Sequence, residues 1–261
     1  MPISDLKSHF TQGGTAINGW CAVPSPVTAE IIGRAGFDMV TVDLQHGLID
    51  YQMALTMCQV LQGLPAPVIA RVPWNDPGIV MKCLDAGFAG VICPMVNTAD
   101  DARRLVQSAR YAPLGGRSFG PTRANLVHGP GYAKGANASV LVLAMIETRE
   151  ALQNLDAILA VEGIDGVYVG PSDLGLSLGH EPTLEPTAPE VLAAITDIVT
   201  RTRAADRIAG VHTGSPGMIG RMLGQGFHFA SLLTDMRIFT SAVGSQLAAA
   251  RNGDFKAVQG Y

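Results

Sequence analysis

Five ionisable side chains stand just behind short apolar runs of this chain. Asp43 and His46 follow MVTV, Arg71 follows PVIA, Glu147 follows VLVLAMI, and Asp173 follows GVYVGPS. Glu147 and Asp173 close consecutive runs. If those runs are neighbouring strands, roughly 5 Å apart, the two carboxylates can share one hard divalent cation and leave positions for water and substrate. The same residues serve equally for helix capping, since Asp173 in GPSDLG can close the first turn of a short helix. Arg71, in ARVPWNDP, carries a planar fork suited to a carboxylate or an enolate oxygen, or to a salt bridge within the site. Asp43 and His46 share VDLQHG. A histidine beside a carboxylate is fixed in one tautomer and made more basic, which suits proton transfer, although a structural histidine fits the same spacing. Gly170-Pro171-Ser172 leads into Asp173. Small residues entering a helix can offer backbone N–H groups to a carboxylate or phosphate, with a tight turn as the plain alternative.

Several chemistries lack their residues. The four lysines are Lys7, Lys82, Lys134 and Lys256, and none follows an apolar run, so a Schiff-base mechanism has no nucleophile. There is no HExxH zinc motif and no GxSxG elbow. GGRSFG, at Gly115–Gly120, follows no strand and so does not read as a dinucleotide fingerprint.

Bringing such distant residues together requires many strands that end at one face. Strand-like and helix-like runs alternate about eight times. The strands are predicted at Ala16–Ala22, Met39–Asp43, Val68–Val72, Gly90–Pro94, Val140–Ile146, Gly166–Val169, Ile208–His212 and Phe227–Leu232. Continuous apolar runs fit parallel strands buried on both faces, and a (β/α)8 barrel gathers their C-terminal ends around one site. Trp20 and His212 then close strands one and seven, away from the carboxylate pair. Ser25-Pro26, Asp76-Pro77 and Ser215-Pro216 read as helix N-caps followed by a first-turn proline, and Thr98–Asp101 as a capping box. Gly36 and Gly87 sit where helices should stop. Leu114–Asn137 is the longest stretch without a pattern, holds Arg117, Arg123, His128 and Lys134, and is expected to be an irregular functional or interface loop at the far face.

Composition sets the class. The 261 residues suit one barrel domain, 1–261, with no linker. Apolar residues make up 48% and charged residues only 15%, which points to extensive burial, subunit interfaces included. A net charge of −4 without a basic block argues against nucleic acid. No run reaches membrane-spanning length, and the N-terminus has no signal-peptide core. Cys21, Cys58, Cys83 and Cys93 form no CxxC pair and read as reduced core residues of a cytoplasmic protein.

The motifs AGFDMVTVDLQHG, RVPWNDP, LDAGFAGVICPMVNTADDA, MIETREALQNLDAI and VEGIDGVYVGPSDLGLSLG together resemble the HpcH/HpaI family of metal-dependent aldolases. That family includes 4-hydroxy-2-oxoheptanedioate, 2-dehydro-3-deoxyglucarate and hydroxy ketoacid aldolases. The resemblance spans nearly the whole chain. It implies a TIM-type barrel of the phosphoenolpyruvate/pyruvate superfamily, with the last helix swapped between subunits of a homo-hexamer (a trimer of dimers). It implies Mg2+, Mn2+ or Co2+ on Glu147 and Asp173, acid/base work by His46, and charge stabilisation by Arg71. Gly170, Pro171, Ser172 and Asp173 would cradle a pyruvate carboxylate, and Asp43 and Asp85 would support His46. Asp85 ends its helix at the wrong face of its own barrel, so it could reach a site only across a subunit interface. Gln45 stands where many members carry Glu, Met145 where many carry Gln, and His212 where others often carry an apolar wall. RSFGPTR, Arg117–Arg123, resembles the hydroxy ketoacid subgroup. The expected reaction is reversible cleavage of a 4-hydroxy-2-oxo acid into pyruvate, or an analogue such as hydroxypyruvate, and an aldehyde. The alternatives are an acyl-CoA lyase of the same superfamily and a non-catalytic barrel that binds small carboxylates.

Overall fold

The computed structural model describes residues 3–252. The two ends of the 1–261 span, Lys256 among them, lie outside the described residues. Eight strands form a closed, all-parallel barrel in sequence order. They are β1 (Ala16–Cys21), β2 (Met39–Asp43), β3 (Val68–Arg71), β4 (Gly90–Cys93), β5 (Leu141–Ile146), β6 (Gly166–Val169), β7 (Ile208–Thr213) and β8 (Phe229–Leu232). With the intervening helices this is the expected TIM-type (β/α)8 fold. No helix among the described residues is long and apolar enough to cross a membrane.

Alternation along the strands creates two cores. In β5, Leu141, Leu143 and Met145 belong to the barrel-interior cluster, while Val142, Ala144 and Ile146 pack outward against the helices. Side chains two residues apart share a face, so inward positions continue past the strand ends into the mouth. Leu6 and Phe10, from the helix Ile3–Thr11, complete the interior cluster at the opposite end. From there an aromatic column rises through the barrel. Phe10 stacks on Phe229 at 5.6 Å, Phe229 on Tyr168 at 5.7 Å, and Tyr168 on Trp20 at 5.6 Å between ring centroids.

The helices start where their caps place them. The side chains of Ser25, Asp76 and Ser215 accept backbone N–H bonds from Thr28, Ile79 and Met218, and Thr98 forms its capping box with Asp101. Gly36 and Gly87 both adopt φ +96, the left-handed stop that a side chain would disfavour. All four cysteines are buried and unpaired, and burial pushes the Cys58 thiol up to about 12.

The segment 114–137 departs from expectation. It holds two helices, Thr122–His128 and Tyr132–Ser139, rather than an irregular loop. Neither has a side-chain N-cap bond, and Gly129, Gly131 and Gly135 interrupt any apolar period. Lys134 is exposed, but the segment's other three basic residues turn inward. Arg117 bonds Asp85, Arg123 bonds the carbonyl of Ala86, and His128 lies 3.0 Å from the carbonyl of Gly87. Together they staple the segment to the end of the helix Pro77–Asp85.

Candidate active site

The inward positions at the C-terminal end of the barrel carry Trp20, Asp43, Arg71, Glu147, Gly170 and His212, each two residues beyond another inward position on its strand. Asp43 and Arg71 are direct register partners on β2 and β3. Arg71 grips Asp43 with both arms of its fork, Nε to Oδ1 at 2.8 Å and Nη2 to Oδ2 at 2.5 Å. The pair is nearly sealed from solvent, with side-chain exposures of 11% and 2%. Trp20 Nε1 donates to Asp43 Oδ2 at 3.2 Å, and the Arg71 guanidinium lies 4.9 Å from the centre of the Trp20 ring. Burial alone would raise the Asp43 carboxyl. The Arg71 bonds and charge, the Trp20 bond and the Gln45 N–H overcome that and hold it below its ordinary 3.8.

Asp43 therefore serves the site differently from the simple picture of an acid beside a histidine. It accepts the backbone N–H groups of Gln45 (3.0 Å) and His46 (3.3 Å), and so shapes the loop that carries His46. The His46 imidazole forms no hydrogen bond among the described residues and stands exposed at the mouth. Asp85 lies at the C-terminal end of the helix Pro77–Asp85, where Arg117 Nη2 holds its Oδ1 at 2.6 Å. Its contact in this chain is with Arg117, not with His46.

Glu147 is buried, 2% exposed, just past β5. Its Oε1 accepts the Met95 N–H at 2.8 Å. A Cβ at position 170 would lie 2.8 Å from its Oε2, so glycine at the end of β6 leaves that oxygen its room. Burial pushes the Glu147 carboxyl up to about 7. The Met95 bond and Arg71 oppose the rise, and the Asp173 charge adds to it. Asp173 is exposed in the first turn of the helix Pro171–Ser177, for which Gly170 is the N-cap residue. Among the described residues no group of three or more His, Cys, Asp or Glu converges on one point. The pair nonetheless fits a hard cation. Glu147 is a buried carboxylate that has no basic side chain within ion-pair distance among the described residues and that a second acid disturbs. Cations such as Mg2+ take one or two carboxylates, with water and substrate completing their shell.

His212, 9% exposed, ends the inward row of β7. Its ring meets the Trp20 ring edge-on at 4.7 Å. Its Nδ1 lies 3.0 Å from Tyr168 Oη, which donates to Ser231 Oγ at 2.6 Å. Asn18 Nδ2 also donates to Ser231 Oγ and to Thr41 Oγ1, each at 2.8 Å. Sequence reasoning passed over Asn18, Tyr168 and Ser231, and the Met95 N–H as well. The available signal was a few polar groups inside otherwise apolar strands.

The barrel mouth joins a buried acid, a forked arginine and a histidine-bearing loop, and the chain's relatives are carbon–carbon bond enzymes. Residues 17–242 match the HpcH/HpaI aldolase/citrate lyase family, and the chain belongs to it. It is 40% identical over 249 residues to a hydroxypyruvate/pyruvate aldolase of Rhizorhabdus wittichii, covering 95% of this chain and 99% of that one. It is 35% identical over 258 residues to a 4-hydroxy-2-oxo-heptane-1,7-dioate aldolase of Salmonella heidelberg, covering 98% and 97%. A solved HpcH/HpaI aldolase/citrate lyase family protein from Burkholderia cenocepacia superposes with a TM-score of 0.88 at 25% identity, covering 95% of this chain and 99% of that one.

Proposed function

We propose that the protein is a class II pyruvate aldolase that reversibly joins a 2-oxo acid and an aldehyde into a 4-hydroxy-2-oxo acid. The observation that carries this reading is Glu147, a buried carboxylate pushed to about 7 beside Asp173, with Gly170 clearing space at its free oxygen. Glu147 and Asp173 would hold a divalent cation, Mg2+, Mn2+ or Co2+. When bound, it supplies Lewis-acid stabilisation of charge on the oxygen of the 2-oxo group. Asp43 occupies two of the five N–H donors of the Arg71 guanidinium. The remaining donors bind the same developing negative charge. His46, unpartnered on its loop, removes the proton of the 4-hydroxyl in cleavage and returns one to the aldehyde oxygen in synthesis. Backbone N–H groups at Gly170–Asp173 orient the substrate carboxylate, and Trp20 and His212 wall the aldehyde side.

Assembly belongs to the same proposal. The helix Asp235–Arg251 exposes Ile238, Phe239, Val243 and Leu247, and Asp235 is its one buried residue. Such a helix supports exchange with a neighbouring copy, in a hexamer of the expected kind. The exchange would put Asp85 of one subunit near His46 of another.

The test is aldol turnover of pyruvate with a panel of aldehydes, after chelation and after return of Mg2+, Mn2+ or Co2+. Removing the cation, or Glu147→Gln in a folded protein, should lower turnover by about 10³-fold or more. Full activity in either case would refute the reading.

A further inference from the structure

The loop that carries His46 hangs between two supports. On one side Asp43 accepts the backbone N–H groups of Gln45 and His46, and Arg71 fixes Asp43 in turn. On the other side Leu48 donates its backbone N–H to the Ala22 carbonyl at 3.0 Å. The loop also lies directly on both supports. A Cβ at position 47 would overlap the Asp43 carbonyl oxygen and sit 3.2 Å from Ala22 Cα, so the approach requires glycine. Ala22 lies just past β1, and a carboxylate takes its N–H: Asp235 Oδ1, at 2.7 Å.

Asp235 reaches Ala22 from the first turn of the helix Asp235–Arg251, of which it is the one buried residue. Its carboxylate accepts three backbone N–H groups, those of Ala22, Val23 (3.2 Å) and Met236 (2.8 Å). Burial raises its carboxyl above the ordinary 3.8. The three N–H groups oppose the rise, and the Asp43 charge adds to it. A buried acid satisfied by N–H groups alone is a clamp on the backbone. The chain bends to bring it there. Leu233, between β8 and the helix, has φ +46, a left-handed conformation that a side chain disfavours. Such backbone persists where its surroundings over-determine it. Here the Leu233 N–H bonds the Thr213 carbonyl at 3.1 Å, and two residues on Asp235 grips the end of β1.

We propose that Asp235 is a positioning residue for His46, holding the far end of the 44–48 loop through Ala22 and so tying the root of the last helix to the proton-transfer group. This rests on the aldolase reading, in which His46 acts on the 4-hydroxyl. Asp235 touches neither substrate nor cation. It acts through two consecutive hydrogen bonds, Ala22 N–H to Asp235 and Leu48 N–H to Ala22. A shift of the helix root is thereby passed to the loop.

The experiment compares Asp235→Ala and Asp235→Asn with wild type. Asparagine keeps an oxygen for the Ala22 N–H and loses the second acceptor. In Asp235→Ala the aldol kcat should fall about tenfold or more, since misplacement by about 1 Å can cost about 10²-fold. KM for pyruvate and the affinity for Mn2+ should stay at wild-type values, and Asp235→Asn should recover most of kcat. A wild-type kcat in Asp235→Ala would overturn the proposal. So would a loss spread equally over kcat, KM and Mn2+ affinity, the mark of a general structural role. The second arm needs no turnover. Hydrogen exchange of the Leu48 amide, resolved by mass spectrometry, should quicken about tenfold in Asp235→Ala, the effect of one weakened hydrogen bond. The Val40 amide, inside the barrel, should keep its wild-type rate. An unchanged Leu48 rate, or faster exchange at both amides, would equally overturn it. If Asp235→Ala does not fold, Asp235→Asn carries both arms, with smaller changes of the same sign expected and no change overturning the proposal. Metal-dependent deuterium exchange into the pyruvate methyl group by wild-type enzyme tests the aldolase reading on its own, so the two failures can be told apart.

Discussion

The state of each site residue follows from what surrounds its charge. Asp43 and Glu147 are both buried carboxylates, yet they diverge. Asp43 has a guanidinium locked on it and is held below 3.8, while Glu147 has one backbone N–H and a neighbouring acid and rises to about 7. Environments that push two acids apart assign them separate work. Asp43 is an anion that fixes Arg71, and Glu147 is the acid proposed to hold a cation. His212 gives a measurable signature. Its folded pKa, about 3, lies below the ordinary 6.5, so the unfolded chain binds the extra proton. The His212 contribution to stability should therefore be complete above 6.5 and fall as the pH drops from 6.5 toward 3, at up to about 1.4 kcal/mol per pH unit, while Glu147, raised to about 7, adds a slope of the opposite sign above 4.5. Denaturation of His212→Leu across that window should show a slope smaller by one proton. His228, pushed to about 4, leaves a residual slope of the same sign. An unaltered slope would contradict the assignment.

At the scale of elements, the strands were legible and the interior was not. All eight predicted strands lie within two residues of the observed ones, because continuous apolar runs between capped helices leave little choice. The same continuity hides which residues face inward. A strand buried on both faces has no polar–apolar alternation, so Asn18, Tyr168 and Ser231 carried no mark of sharing one interior. Residues at strand ends escaped this problem, which is why Trp20, Asp43, Arg71, Glu147 and His212 were found. The helices Thr122–His128 and Tyr132–Ser139 were missed because seven or eight glycine-interrupted residues are too few for a helical period to emerge. The junction of β6 with the helix Pro171–Ser177 supplies a test at this scale. In Gly170→Ala the new methyl meets the Glu147 carboxylate at 2.8 Å. Calorimetric titration with Mn2+ should show affinity reduced by about tenfold or more, at a cost of about 1.4 kcal/mol per decade, with the far-UV circular dichroism unchanged. Wild-type affinity in that variant would exclude Oε2 as a ligand atom.

At the scale of the whole molecule, the proposed assembly has a physical motive. Phe239 and Leu247 on the last helix are 66% and 49% exposed. Burying such side chains is worth about 1.5–3 kcal/mol each, so the proposed docking on a second copy would stabilise the helix. Asp85, held by Arg117 through Oδ1, has no hydrogen bond to its second oxygen among the described residues. Arg117 is itself immobilised between Tyr111 and Tyr132, so the acid is presented rigidly. If Asp85 completes a neighbour's site, inactive Asp85→Ala and inactive His46→Ala subunits should regain partial activity once dissociated and reassembled together. Verified hybrids that stay inactive would confine Asp85 to a structural role in its own chain.

The aromatic column also makes the protein its own optical instrument. Trp20 and Trp74 are the only indoles in the chain, and they sit in opposite surroundings: Trp20 at 1% exposure on the stack, Trp74 at 57% in water. In Trp74→Phe the remaining emission should come from a blue-shifted chromophore in contact with Asp43, His212 and Tyr168. Its coupling to the parallel Tyr168 ring, 21° from coplanar, should give a strong near-ultraviolet dichroic band. Occupancy of the barrel mouth then becomes a change of colour, readable in a stopped-flow cell without a label or a coupled assay.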